Sequence, residues 1–229
     1  MPTTKVNGIS LYYEVHGNGE PLTIINGLGI ELSEFKVITN ALARDYKVLI
    51  FDNRGAGRSD KPDEPYSIQQ MASDTAGVME RAGFNKSHVM GISMGGRIAL
   101  ELTLSKPDMV GKLVLVSTSA RLKQRNWFRS LATQAPLFFK GKHPQPKYAF
   151  LRQREASSSY DCTTRLGEVQ VPTLITHGQS DKVAPVELAE EMHDGIKGSK
   201  LQKFKGGHLF FLIRSRQPFI NTVNEFLES

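Results

Sequence analysis

Ser93 stands at the centre of Gly91-Ile92-Ser93-Met94-Gly95, a Gly-x-Ser-x-Gly pentapeptide set between an apolar run and a helical pattern. A serine at the apex of so sharp a strand-to-helix turn has its hydroxyl pushed out of the backbone. Flanking glycines let strand and helix approach each other. That hydroxyl is a poor nucleophile at neutral pH, so it needs a general base and a group that orients the base. Asp181, beyond the apolar run 173–176, and His208, beyond residues 200–205, supply both types on loops that follow strands. Serine, then acid, then histidine is one recurrent chain order for such a triad. Ser93, Asp181 and His208 are therefore the candidate catalytic residues, and the chemistry they point to is acyl transfer.

The remaining histidines compete weakly. His177 lies at a strand end, where it is expected to orient its own turn; His193 falls on a helix and His143 in an insertion. Residues 117–120, another loop able to carry an acid, hold no carboxylate. Acyl transfer also needs two N–H groups aimed at the developing oxyanion. Met94, directly after the nucleophile at a helix N-terminus, is one expected donor. Leu28, in the loop Asn26-Gly27-Leu28-Gly29, is the other. Gly27, Leu28 and Trp127 are the candidate substrate contacts. This chemistry requires no metal and no cofactor.

Strands and helices must alternate to place these loops. Residues 9–15 read as one arm of an N-terminal antiparallel hairpin. Buried runs follow at 22–25, 48–51, 89–92, 113–116 and, after a gap, 173–176. Short continuous apolar runs mark strands of a parallel sheet covered on both faces. Ser67 is a good N-cap for a helix with Ile68, Met71, Ala72 and Met79 on one face, ended by Gly83. Pro185 opens another with Leu188, Ala189, Met192 and Ile196 inward. Phe219, Ile220, Val223, Phe226 and Leu227 form the stripe of a last helix. All three stripes are expected to be core. The expected class is α/β, a mostly parallel central sheet flanked by helices.

The alternation breaks between about 118 and 167. We therefore expect one core domain from residues 1–117 and 168–229, with 118–167 as a short inserted cap. Residues 121–154 hold nine Lys or Arg and no Asp or Glu, leaving 20 basic against 23 acidic residues elsewhere. The net charge of +6 thus belongs to one segment, interleaved with Trp127, Phe128, Phe138, Phe139 and Tyr148. A solvated face, attraction of anionic substrates and contact with an anionic membrane surface are its three readings. No nucleic-acid recognition fold is present. The N-terminus lacks an apolar h-region and no run is long enough to span a bilayer, so a cytoplasmic monomer or homodimer is expected. A single cysteine, Cys162, excludes an internal disulfide and reads as a structural thiol.

With these motifs in hand, the chain resembles the α/β-hydrolase superfamily in its short-chain branch of esterases, lactonases and carbon–carbon hydrolases. Residues 91–96 (GISMGG), 51–60 (FDNRGAGRSD), 171–181 (VPTLITHGQSD) and 206–208 (GGH) carry the likeness. It implies a small-molecule ester or lactone substrate. Two departures stand out. Asn26-Gly27 replaces the His-Gly usual in the oxyanion loop, a change similar to the enol-lactonase-like branch. The cap is also short, which implies an open, wet site tolerant of bulky acyl or alcohol groups. A cofactor-free perhydrolase or haloperoxidase-like activity, carbon–carbon hydrolysis and a non-catalytic ligand receptor are the alternatives on the same framework.

Overall fold

The computed structural model describes residues 3–122, 142–213 and 215–229. Among them eight strands form one sheet: β1 (Thr3–Val6), β2 (Ile9–His16), β3 (Glu20–Ile25), β4 (Tyr46–Phe51), β5 (Ser87–Ile92), β6 (Val110–Val116), β7 (Thr173–Gly178) and β8 (Lys200–Phe204). Their spatial order is β1-β2-β4-β3-β5-β6-β7-β8. The pairings of β1 with β2 and of β2 with β4 are antiparallel. All later pairings are parallel. The N-terminal hairpin closes on Asn7 and Gly8, both at positive φ (48° and 82°), which is the two-residue turn that matches strand twist.

The buried runs read from the sequence are the inner strands, and each feeds both faces of the sheet. Ile25, Leu49, Phe51, Val89, Leu115 and Ile175 pack on one side with helices α2 (Ile68–Arg81), α3 (Met94–Ser105) and α5 (Glu187–Gly195). Leu22, Ile24, Val48, Ile50, Met90 and Val114 pack on the other, against α1 (Lys36–Leu42) and α6 (Arg216–Glu228). Ser67 caps α2 as expected, accepting a hydrogen bond from the Gln70 N–H. The five stripe residues of α6 are all buried. Pro185 precedes rather than opens α5, which begins two residues later after a turn closed by Leu188 N–H on Pro185 O.

The connection from β6 to β7, expected to form the cap, carries α4 (Lys147–Ser159), with Ala149, Gln153, Ala156 and Ser157 buried. Beyond it Tyr160, Cys162 and Leu166 join the core cluster around α3. The Cys162 thiol is buried, and burial pushes its pKa up to about 11. Within the basic segment Arg121 pairs with Glu191 at 2.6 Å and Arg152 with Asp63 at 3.3 Å. Among the described residues no helix is long and apolar enough to cross a membrane.

Candidate active site

Ser93 sits between β5 and α3 with φ 55° and ψ −118°, a conformation that a non-glycine residue adopts only where its surroundings force it. The forcing is visible at Gly95, where an added Cβ would overlap the main-chain oxygen of Ile25 and stand 2.7 Å from that of Asn26. Helix α3 therefore rests directly on the end of β3. The elbow is held on both sides. Ser93 N–H donates to Val116 O at 2.9 Å, and the Thr118 hydroxyl donates to Ser93 O at 2.6 Å.

The expected base arrives from the far end of the sheet. His208 follows β8 and is pinned by aromatic packing: Phe204 at the end of β8 stacks on Phe210 with ring centroids 4.9 Å apart. Phe210 in turn meets Phe219 of α6 at 5.8 Å. His208 Nε2 lies 2.9 Å from Ser93 Oγ, and its Nδ1 lies 2.7 Å from Asp181 Oδ2. A carboxylate only accepts, so Nδ1 carries the hydrogen and the Nε2 lone pair faces the serine hydroxyl. The structure thus brings the three residues named from the sequence into one line.

Asp181 is buried and saturated. Its Oδ1 accepts the N–H groups of Val183 (2.8 Å) and Ala184 (3.0 Å), while Oδ2 accepts from His208. His177 Nε2 is 3.3 Å from the same Oδ2 and 2.7 Å from Ala184 O. Burial acts to raise the Asp181 pKa, but hydrogen bonds from His177 and His208, with their charge, outweigh it and hold the carboxyl well below its ordinary range.

The loop after β3 comes close to Ser93, since a Cβ on Gly27 would stand 3.4 Å from Ser93 Cβ. Asn26 anchors it through Nδ2 to Phe51 O and receives Asn53 Nδ2 on its own carbonyl, each at 3.0 Å. Leu28 and Met94, the expected oxyanion donors, are both buried, Leu28 in this loop and Met94 at the start of α3. Trp127 lies outside the described residues, as do the aromatic pairs 127–128 and 138–139 and basic residues 123, 125, 129 and 140. The openness expected of a short cap turns on the same stretch. Among the described residues no cluster of His, Cys, Asp and Glu could hold a metal ion.

Sequence reasoning passed over four supporting residues. His177, expected to orient its own turn, reaches the Asp181 carboxylate as well. The loop 117–120 holds no acid, yet Ser117 Oγ donates to His208 O at 2.7 Å and the Thr118 hydroxyl donates to Ser93 O. Gln153 of α4 accepts the Gly29 N–H of the oxyanion loop at 2.9 Å. The Thr-His-Gly-x-x-Asp spacing could have flagged His177; nothing local marks the other three.

Comparison with known proteins identifies the family and the fold. The profile of a family described as alpha/beta hydrolase fold matches residues 16–154. A relative from Azorhizobium caulinodans named "Putative carbamate hydrolase RutD" is 30% identical, over 92% of each chain. "Putative non-heme bromoperoxidase BpoC" of Mycobacterium tuberculosis is 30% identical over 94% of this chain and 96% of its own. The crystal structure of the enol-lactonase from Burkholderia xenovorans LB400 superposes with a TM-score of 0.89 at 23% identity, covering 100% of both chains.

Proposed function

The chain belongs to the α/β-hydrolase family, and we propose that within it the protein is a serine hydrolase that cleaves carboxylic esters or lactones through an acyl-enzyme on Ser93. The observation that carries this reading is the 2.9 Å approach of His208 Nε2 to Ser93 Oγ, with Nδ1 committed to Asp181. His208 takes the serine proton as Oγ attacks the acyl carbon. The oxyanion of the tetrahedral intermediate is held by the N–H groups of Leu28 and Met94. His208, now an imidazolium stabilised by Asp181, gives its proton to the leaving alkoxide. A water deprotonated by His208 then attacks the acyl-enzyme, releases the acid and restores Ser93. The short cap, residues 118–167, selects the acyl and alcohol groups.

Cleavage of a carbamate is a second reading, favoured by the 30% identical relative named for that activity. Carbamates present the same electrophilic carbonyl, and the steps on Ser93 are unchanged. A panel of p-nitrophenyl esters of increasing chain length, a simple lactone and a p-nitrophenyl carbamate, assayed with wild type and Ser93→Ala, tests both readings. Turnover lost in Ser93→Ala supports the hydrolase, and the preferred acyl group, alkanoyl or carbamoyl, separates ester from carbamate. A folded wild type that turns over none of them and that a fluorophosphonate does not label contradicts it.

A further inference from the structure

We propose that Gln153, carried by α4 of the insertion, is a positioning residue that sets the oxyanion loop in its working conformation. The inference rests on the serine-hydrolase reading above and deepens it. Residues 27–30 form a tight turn, with Ile30 N–H on Gly27 O at 3.3 Å and Gly29 at φ 71°. Positive φ at the third position is the mark of a type II turn, which differs from type I by a flip of the central peptide. Here that peptide joins Leu28 to Gly29, and its N–H is the one that Gln153 Oε1 accepts at 2.9 Å. The acceptor from α4 therefore favours one of the two peptide orientations open to this loop. The neighbouring Gly27–Leu28 peptide points its carbonyl at Ile30. Being trans, it sends the Leu28 N–H out of the opposite side of a turn whose Gly27 packs on Ser93.

The Gln153 amide is itself unambiguous in orientation. Its Nε2 donates to Arg54 O at 2.7 Å, and its Oε1 also accepts Gln145 Nε2 at 3.0 Å. Gln145 Nε2 is fixed in turn by Gly55 O at 2.8 Å. Gln153 is fully buried, so its removal would strand the Gly29 N–H away from water and relax the turn toward an arrangement that satisfies it differently. Helix α4 also touches the nucleophile's helix: Arg97 of α3 donates from Nη1 to Ser157 Oγ at 2.8 Å.

Gln153→Met, of similar shape but without an acceptor, and Gln153→Glu, which keeps one, separate positioning from plain stability. Active enzyme is counted with a fluorophosphonate, and binding of a trifluoromethyl ketone, which forms a tetrahedral adduct with the serine, is measured beside ester kinetics. Loss of one oxyanion donor typically costs about 100-fold in kcat. We expect Gln153→Met to lose roughly 30- to 100-fold in kcat with KM within about threefold, and ketone affinity to fall by the same factor. Gln153→Glu should keep both within roughly fivefold, and Ser157→Ala should lose stability alone. A folded Gln153→Met with kcat and ketone affinity unchanged overturns the inference, as does equal loss in both Gln153 variants. If Gln153→Met does not fold, Gln153→Glu decides: retained ketone affinity supports the inference and a roughly 100-fold loss overturns it. A wild type that neither labels nor turns over esters contradicts the hydrolase reading instead.

Discussion

His177 Nε2 stands 3.3 Å from Asp181 Oδ2 and 2.7 Å from Ala184 O. Both neighbours are acceptors, so Nε2 must carry a hydrogen, and the imidazole ties the carboxylate to the far end of its own loop. Asp181 thus collects N–H donors on both oxygens. Its depressed pKa makes it a source of stability that is fully present above the ordinary carboxylate range, about pH 4, and lost as pH falls below it. His177→Leu removes one of those donors. The variant should be less stable at pH 7, yet lose less on acidification from pH 5 toward pH 2. Urea titrations across that range check this, and an unchanged acid slope would count against the role given to His177.

Ser117 and Thr118 brace His208 and the Ser93 turn from one loop. Ser117→Ala frees the His208 carbonyl, and Thr118→Val frees the Ser93 carbonyl. Each substitution should cost about 1 kcal/mol of stability. Ser117→Ala should also lower kcat by several-fold with KM nearly constant, because the imidazole loses its fixed distance to Ser93. Steady-state kinetics that change only in KM would contradict this.

Gly95 separates steric need from backbone strain. Gly95→Ala forces α3 away from Ile25 O, so we expect a loss of at least about 3 kcal/mol, a fall of roughly 6–12 °C in Tm. Gly83→Ala places its Cβ in open space at φ 77° and should cost only about 1 kcal/mol. Thermal melts of the two variants test the order, and comparable losses would refute it.

Asp52 titrates with the opposite sign to Asp181. Burial raises its pKa to about 6, despite hydrogen bonds from the N–H groups of Arg58 and Leu32. The folded state then holds a proton that the unfolded chain has released, so stability from this group falls as pH rises from about 4 to about 6. The effect is on the order of 3 kcal/mol. Asp52→Asn should flatten that interval while lowering stability overall. A slope between pH 4 and pH 6 that is the same in both proteins would show that Asp52 is not its source.

Ser93 and Asp181 were legible because each follows a short apolar run whose pattern names it as a buried strand, here β5 and β7, whereas β8 before His208 is a largely exposed edge strand marked by the Gly206-Gly207-His208 turn that ends it. The turn residues beside them leave little choice of where the side chains emerge. The core stripes of α2 and α6 were legible for the same reason, since burial writes a period into sequence. Ser117, Thr118 and Gln153 carry no such period. Gln153 meets Gly29 across 124 residues of chain, and Ser117 meets His208 across 91. Such hydrogen bonds exist only once the sheet has set the loops side by side. The Asn7-Gly8 pair, at positive φ in the structure, is a local hairpin signal that stands in the sequence just before residues 9–15.

The central claim is that Ser93 becomes acylated during turnover. Intact mass spectrometry of protein quenched during reaction with p-nitrophenyl acetate tests it most directly. One acetyl group per chain, mapped to the peptide bearing Ser93 and absent from a folded, inactive Ser93→Ala, is the result this account predicts. Hydrolysis that proceeds at the wild-type rate in Ser93→Ala, or an adduct located on another residue, would contradict it.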